Sequence, residues 1–264
     1  MAAMEQVVDV NGCRVRLNRA GSGPTLLYLH GANGPNLWTG FFDDLAKRFT
    51  VLAPDHPSFG HSDEPEWLDD IGDLAYFYLD FLKAMNLKRV HLVGHSMGGW
   101  LACEIAVRAT ERLGTLTLIA PAGIRLKDHP MADIFITPPA EILGKMIYVD
   151  PALAREALAE LEKPKTEAEL DVLIRNRVAA ARLCWHPRLN NPQLKKWLHR
   201  IDVPTHIVWG DGDRIIPPAH APEFHRLIPG SKLTMIERSG HVPQVERPRE
   251  TLDAVANFLM ERVS

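Results

Sequence analysis

Cysteine is scarce in this 264-residue chain, and the three present, Cys13, Cys103 and Cys184, are odd in number and far apart. No Cys-x-x-Cys pair and no cysteine–histidine spacing of a metal site occurs, which excludes a zinc centre of ordinary design. Three reduced thiols are expected, with Cys103 on an apolar helix face. Basic stripes are missing too. The formal net charge is −3, so nothing invites a polyanion, and a nucleic acid is not among the expected partners. No apolar run is long enough to span a bilayer, which removes a membrane from the expectations. The stretch Met1 to Asn11 is polar and mixed and lacks the basic start and apolar block of a signal peptide. A cytoplasmic location is the resulting expectation. Internal repeats and low-complexity tracts are absent.

What is there is ordinary for a globular protein: 46% hydrophobic and 24% charged residues. The length suits one α/β domain over residues 1–264, with a core that needs no staples. Residues 6–20 read as a hairpin, with Val7, Val8 and Val10 before the Asn11-Gly12 turn and Val15 and Leu17 alternating with Arg14 and Arg16. Short apolar runs follow at Thr25–Leu29, Thr50–Ala53, Arg89–Val93, Thr115–Ile119, Thr205–Trp209 and Lys232–Ile236. Most are too continuous for half-exposed strands and suit a sheet covered on both faces. Between them lie amphipathic stripes: Leu74, Phe77, Tyr78, Phe81, Leu82 and Met85, then Leu252, Val255, Ala256, Leu259 and Val263. This alternation predicts a mostly parallel, doubly wound sheet.

The alternation breaks at about residues 122–200, where helical patterns are divided by Pro138-Pro139, Pro151, Pro164, Pro187 and Pro192. Pro151–Glu162 reads as an exposed helix. An insertion between two core strands is where a lid sits over a site.

Gly94-His95-Ser96-Met97-Gly98 is a G-x-S-x-G string placed directly between the strand-like Val90–Val93 and the helical Trp100–Arg108. That strand–turn–helix setting lifts a serine oxygen above the sheet edge and aims helix N-terminal amides at it. A serine hydroxyl at neutral pH needs a base within hydrogen-bond reach. Of twelve histidines, His241 stands out, in the loop Ser239-Gly240-His241 after the last apolar run. The base in turn needs a carboxylate to fix its tautomer. Asp211 and Asp213, after Thr205–Trp209, both qualify, and each is also an ordinary turn residue. For the oxyanion hole the donors are the amide of Met97 and that of Ala32, in the loop His30-Gly31-Ala32-Asn33-Gly34-Pro35. The Asn33 side chain is a weaker candidate, since loop asparagines commonly cap local backbone.

These pieces together resemble the α/β-hydrolase superfamily over nearly the whole chain. The resemblance rests on the His30-Gly31 loop, on Asp55-His56-Pro57-Ser58-Phe59-Gly60-His61-Ser62, on the Ser96 turn, on Trp209-Gly210-Asp211-Gly212-Asp213 with Pro217, and on Gly240-His241. It implies the α/β-hydrolase fold, a mainly parallel eight-stranded sheet with an inserted helical cap. It implies Asp213 as the acid, three residues after the glycine of the Trp-Gly pair. It also implies no metal and no organic cofactor. Dehalogenases and epoxide hydrolases of this fold carry aspartate where this chain has Ser96, and the epoxide enzymes use cap tyrosines where only Tyr148 is available. Hydrolases that cleave C–C bonds in ring-fission products share the serine triad. They carry tryptophan after the catalytic histidine, where Val242 stands here, and an arginine on the substrate carboxylate, a part open to Arg188 or Arg182.

The expectation drawn from all this is a serine esterase acting on a small-molecule carboxylic ester through an acyl-enzyme. A C–C bond hydrolase and a slow-turnover small-molecule receptor of the same fold are the alternatives. Ile134, Phe135, Ile142, Met146 and Trp185 of the cap, with Val242, suggest an uncharged, apolar acyl or alcohol group, though ordinary packing within the cap accounts for them equally. The oligomeric state is not readable.

Overall fold

The computed structural model describes residues 3–35 and 38–262. Strands β1 (Met4–Val10) and β2 (Cys13–Ala20) form the predicted hairpin, paired Val10 to Cys13 across the Asn11-Gly12 turn. They are followed by β3 (Thr25–Leu29), β4 (Thr50–Pro54), β5 (Val90–His95), β6 (Leu113–Ile119), β7 (Thr205–Gly210) and β8 (Lys232–Ile236). The eight strands make one sheet in the order β1-β2-β4-β3-β5-β6-β7-β8. Pairing is antiparallel from β1 to β4 and parallel from there on. Every residue of β5 and β7 is buried, which is why those runs read as continuous apolar segments rather than as alternation.

Helices α1 (Gly40–Ala46), α2 (Ile71–Ala84) and α3 (Met97–Arg108) connect the first strands. Leu74, Phe77, Tyr78, Phe81 and Leu82 of α2 are buried as the stripe predicts. Its start is fixed by a reciprocal cap, in which the Asp70 side chain accepts from the Asp73 amide and Asp73 reaches back. Between β6 and β7 the chain forms α4 (Pro139–Glu141), a π-helical turn (Ile142–Ile147), α5 (Pro151–Glu162) and α6 (Glu167–Cys184), then two 3₁₀ turns. This is the inserted helical cap. After β7 come α7 (His220–Leu227), and after β8 the short α8 (Pro243–Glu246) and the closing α9 (Pro248–Met260). Val255, Ala256 and Leu259 of α9 are buried; Val263, assigned to the same stripe, lies outside the described residues.

The cap is fastened to the core by side chains of α6. Asn176 accepts from the Gly60 amide at 2.8 Å and donates to Asn33 O at 3.5 Å. Arg175 donates to the carbonyls of Ser58 and Ser62. The cysteines are free and buried, and burial pushes the Cys13 thiol up to about 11 and raises Cys103 and Cys184 as well. Among the described residues no helix is long and apolar enough to cross a membrane, and no cluster of side chains suits a metal ion.

Candidate active site

The loops that carry the candidate residues all leave the carboxyl ends of parallel strands, the edge where open α/β sheets bind ligands. Ser96 follows β5 without an intervening residue, because β5 runs two residues beyond the apolar stretch, to His95. Ser96 sits at φ 56°, ψ −117°, outside the ordinary basins for a side-chain-bearing residue. The flanking glycines make that turn possible. A Cβ on Gly94 would lie 2.2 Å from Gly98 O, and one on Gly98 would lie 2.1 Å from Leu29 O.

His241 Nε2 lies 2.9 Å from Ser96 Oγ, and His241 Nδ1 lies 2.8 Å from Asp213 Oδ2. All three side chains are buried. The other oxygen of Asp213 accepts from the amides of Ile215 and Ile216 at 2.8 and 2.9 Å. Three hydrogen-bond contacts on one buried carboxylate leave it a single orientation. Asp211, the competing acid, is exposed and accepts instead from the Ser239 amide at 3.3 Å, so it serves the turn. The main chain of His241 is held on both sides: its N–H donates to Ile147 O in the cap at 2.8 Å, and its carbonyl accepts from His95 Nε2 at 2.8 Å.

The loop bearing Ala32 is braced from below by a chain of neutral histidines. Tyr78 O–H donates to His56 Nδ1 at 2.6 Å, the His56 ring donates to His30 O, and the His56 amide donates to His30 Nε2 at 3.1 Å. His30 Nδ1 then donates to Gly31 O at 2.8 Å. Burial pulls His30 down to about 4 and His95 to about 3, and lowers His56, so all three stay uncharged at neutral pH. Among the described residues neither the Ala32 nor the Met97 amide is used in a hydrogen bond within the chain. Both residues stand beside Ser96: Met97 opens α3, and Ala32 shares a cavity wall with it.

That cavity has about 130 Å³ of free volume above Ser96 and His241. Of the apolar residues singled out in the sequence, Ile134, Phe135, Ile142 and Val242 line it. Met146 and Trp185 do not. The π-helical turn brings Ile142 and Ile147, five residues apart, to the same face, so Ile147 takes the place assigned to Met146. Trp185 is 46% exposed and lies between Phe135 and the Arg188 guanidinium. Asn33 is exposed at the rim. Neither arginine singled out from the sequence reaches the cavity: Arg188 pairs with Asp133 and Arg182 with Glu64. Arg177, unremarked in the sequence because it sits in an ordinary polar helix, lines the wall instead. Ala180, Leu189, Ile215 and Ile216 add to the apolar lining and are equally without a local signal in the sequence.

A family model described as alpha/beta hydrolase fold matches residues 24–248. The chain belongs to the α/β-hydrolase family. This α/β hydrolase is 30% identical to an uncharacterized protein of Mycobacterium tuberculosis, with 96% of this chain and 80% of that one covered. It is 27% identical to the 2-hydroxy-6-oxo-6-(2'-aminophenyl)hexa-2,4-dienoic acid hydrolase of Metapseudomonas resinovorans, over 99% of this chain and 92% of that one. Among solved structures it is similar to a membrane phospholipase A described as a bacterial virulence factor, at a TM-score of 0.75 and 26% identity, covering 98% and 86% of the two chains.

Proposed function

We propose that this α/β hydrolase cleaves carboxylic esters of small molecules through an acyl-enzyme, with Ser96 as nucleophile, His241 as general base and Asp213 as the acid that orients it. The observation that carries this reading is the unbroken relay of 2.9 and 2.8 Å from Ser96 Oγ through the His241 ring to Asp213. His241 takes the Ser96 proton as the oxygen attacks the ester carbonyl. The tetrahedral oxyanion rests on the free amides of Ala32 and Met97, and the partial positive charge at the start of α3 adds to them. His241 then protonates the departing alcohol. Water, deprotonated by the same ring, frees the acid and restores Ser96. Apart from that water, each step uses groups of the chain itself, so the mechanism calls for no cofactor. A cavity of about 130 Å³ is close in size to one that admits a benzene ring, so short or compact acyl groups fit best.

The test is the rate of hydrolysis of a nitrophenyl acetate or butyrate by the wild type and by Ser96→Ala. A loss on the order of 10⁶-fold in kcat is expected for a triad nucleophile. Rates within tenfold of each other would remove Ser96 from the mechanism.

A second reading, hydrolysis of a C–C bond beside a ketone in a carboxylate-bearing substrate, draws support from Arg177. Its place in the cavity wall suits an anionic group of the substrate, and the Metapseudomonas resinovorans relative is named for a dienoic acid. Val242 in place of tryptophan speaks against it.

A further inference from the structure

We propose that Glu246 is a positioning residue for the His241 base, acting as a two-sided clamp that locks one stretch of the cap onto the loop carrying that base. This deepens the reading of His241 as general base and rests on it. Glu246 ends the short α8 and is only 5% exposed. Among the described residues it pairs with no lysine or arginine, and its carboxylate is satisfied by the chain itself. Oε1 accepts from the cap, from the amides of Val149 at 2.7 Å and Asp150 at 2.9 Å. Oε2 accepts from the base loop, from the Gly240 amide and from Ser239 Oγ at 3.4 Å. One oxygen therefore serves each of two segments about 90 residues apart in sequence.

The chemistry calls for a carboxylate at this point. Both of its oxygens accept, and hydrogen bonds to an ionised acceptor are roughly twice as strong as neutral ones. Glutamine offers one acceptor and one NH₂, so one of the two sets of donors meets another donor. The clamped backbones are already in contact: His241 N–H donates to Ile147 O at 2.8 Å, and a Cβ on Gly240 would lie 2.1 Å from the same oxygen. On the acid side, Arg214 Nη1 donates to Lys145 O at 3.1 Å. Residues 145–150 of the cap thus run across the loops of both Asp213 and His241. The main-chain N–H of His241 is held by the insertion and its carbonyl by His95. A misplacement of about 1 Å costs a reaction on the order of 10²-fold, so slack in this clamp appears in the chemical step.

The experiment compares wild type, Glu246→Gln and His241→Ala on nitrophenyl acetate, with proton NMR of the downfield Nδ1–H of His241. For Glu246→Gln we expect kcat to fall roughly tenfold or more, KM to stay within about threefold, and the downfield resonance to broaden or shift, while circular dichroism stays that of the wild type. A purely structural role lowers the melting temperature and leaves kcat and the resonance alone; that result overturns the proposal. If His241→Ala is inactive and Glu246→Gln is unimpaired, the clamp alone fails. If His241→Ala is as active as wild type, the base assignment fails and takes the clamp with it. Should Glu246→Gln not fold, amide exchange in the wild type answers: Val149, Asp150, Gly240 and His241 are expected to open together. Exchange at Val149 and Asp150 much faster than at Gly240 and His241 overturns the proposal.

Discussion

Ser96 keeps a positive φ that costs a side-chain-bearing residue about 1–3 kcal/mol, and it keeps it with Gly94 and Gly98 packed against backbone on either side. The sequence announced that turn, because a serine between spaced glycines at a strand–helix junction has few other reasons to exist. The local residue pattern did not separate Asp211 from Asp213, and only the resemblance to the family pointed to Asp213. Both follow β7 and both neighbour glycine, and only the fold exposes one and buries the other. The histidines were legible as types but not as states. Burial holds His95 at about 3 and His30 at about 4, below the ordinary value of about 6.5 that applies in the unfolded chain. Between those values the unfolded chain binds more protons than the folded one. Stability from these sites is therefore full above about pH 6.5 and is lost as pH falls toward 4 and below. The urea midpoint should drop steadily between pH 7 and pH 4. His95→Gln, which keeps an N–H in reach of His241 O but cannot be protonated, should show a shallower drop. An identical pH dependence in the two proteins would contradict the assignment of a buried, neutral His95.

Strands and amphipathic helices of the core declared themselves through period, since burial on both faces leaves an apolar run and burial on one face leaves a stripe. The cap did so less well. An α-helical period does not place Ile147 beside Ile142, and the π turn brings both to the cavity while Met146 stays out of its lining. Helix α6 illustrates the other limit. Three consecutive polar residues, Arg175, Asn176 and Arg177, take three different directions: to the carbonyls of Ser58 and Ser62, to Gly60 and Asn33, and to the cavity. No composition rule distinguishes them. The geometry of α6 makes a prediction about substrate choice. If Arg177 meets an anionic end of the substrate, Arg177→Gln should raise KM for a nitrophenyl ester bearing a terminal carboxylate by about tenfold, and leave the uncharged ester of equal length within twofold. Parallel changes for both esters would detach Arg177 from recognition.

At the scale of the molecule, one edge of the sheet gathers four loops that lie far apart in sequence, after β3, β5, β7 and β8, and the cap closes over them. The order of the strands, β4 next to β3 and β5 between β3 and β6, puts the Ala32 loop against the Ser96 turn. The hairpin of β1 and β2 sits at the far edge, away from these loops. Composition bounded this architecture and the strand–helix alternation outlined it. The contacts between the cap and the His241 loop were beyond reach, because Glu246 reads as any acid near a helix start until its four donors are seen. The account stands or falls on Ser96 being the one serine activated by this convergence. The direct measurement is peptide mass spectrometry of the protein treated with a serine-reactive phosphonate. One adduct per chain, on the peptide holding Ser96 and greatly slowed in His241→Ala, is the predicted result. An adduct on another residue, or labelling of Ser96 at the same rate without His241, contradicts it.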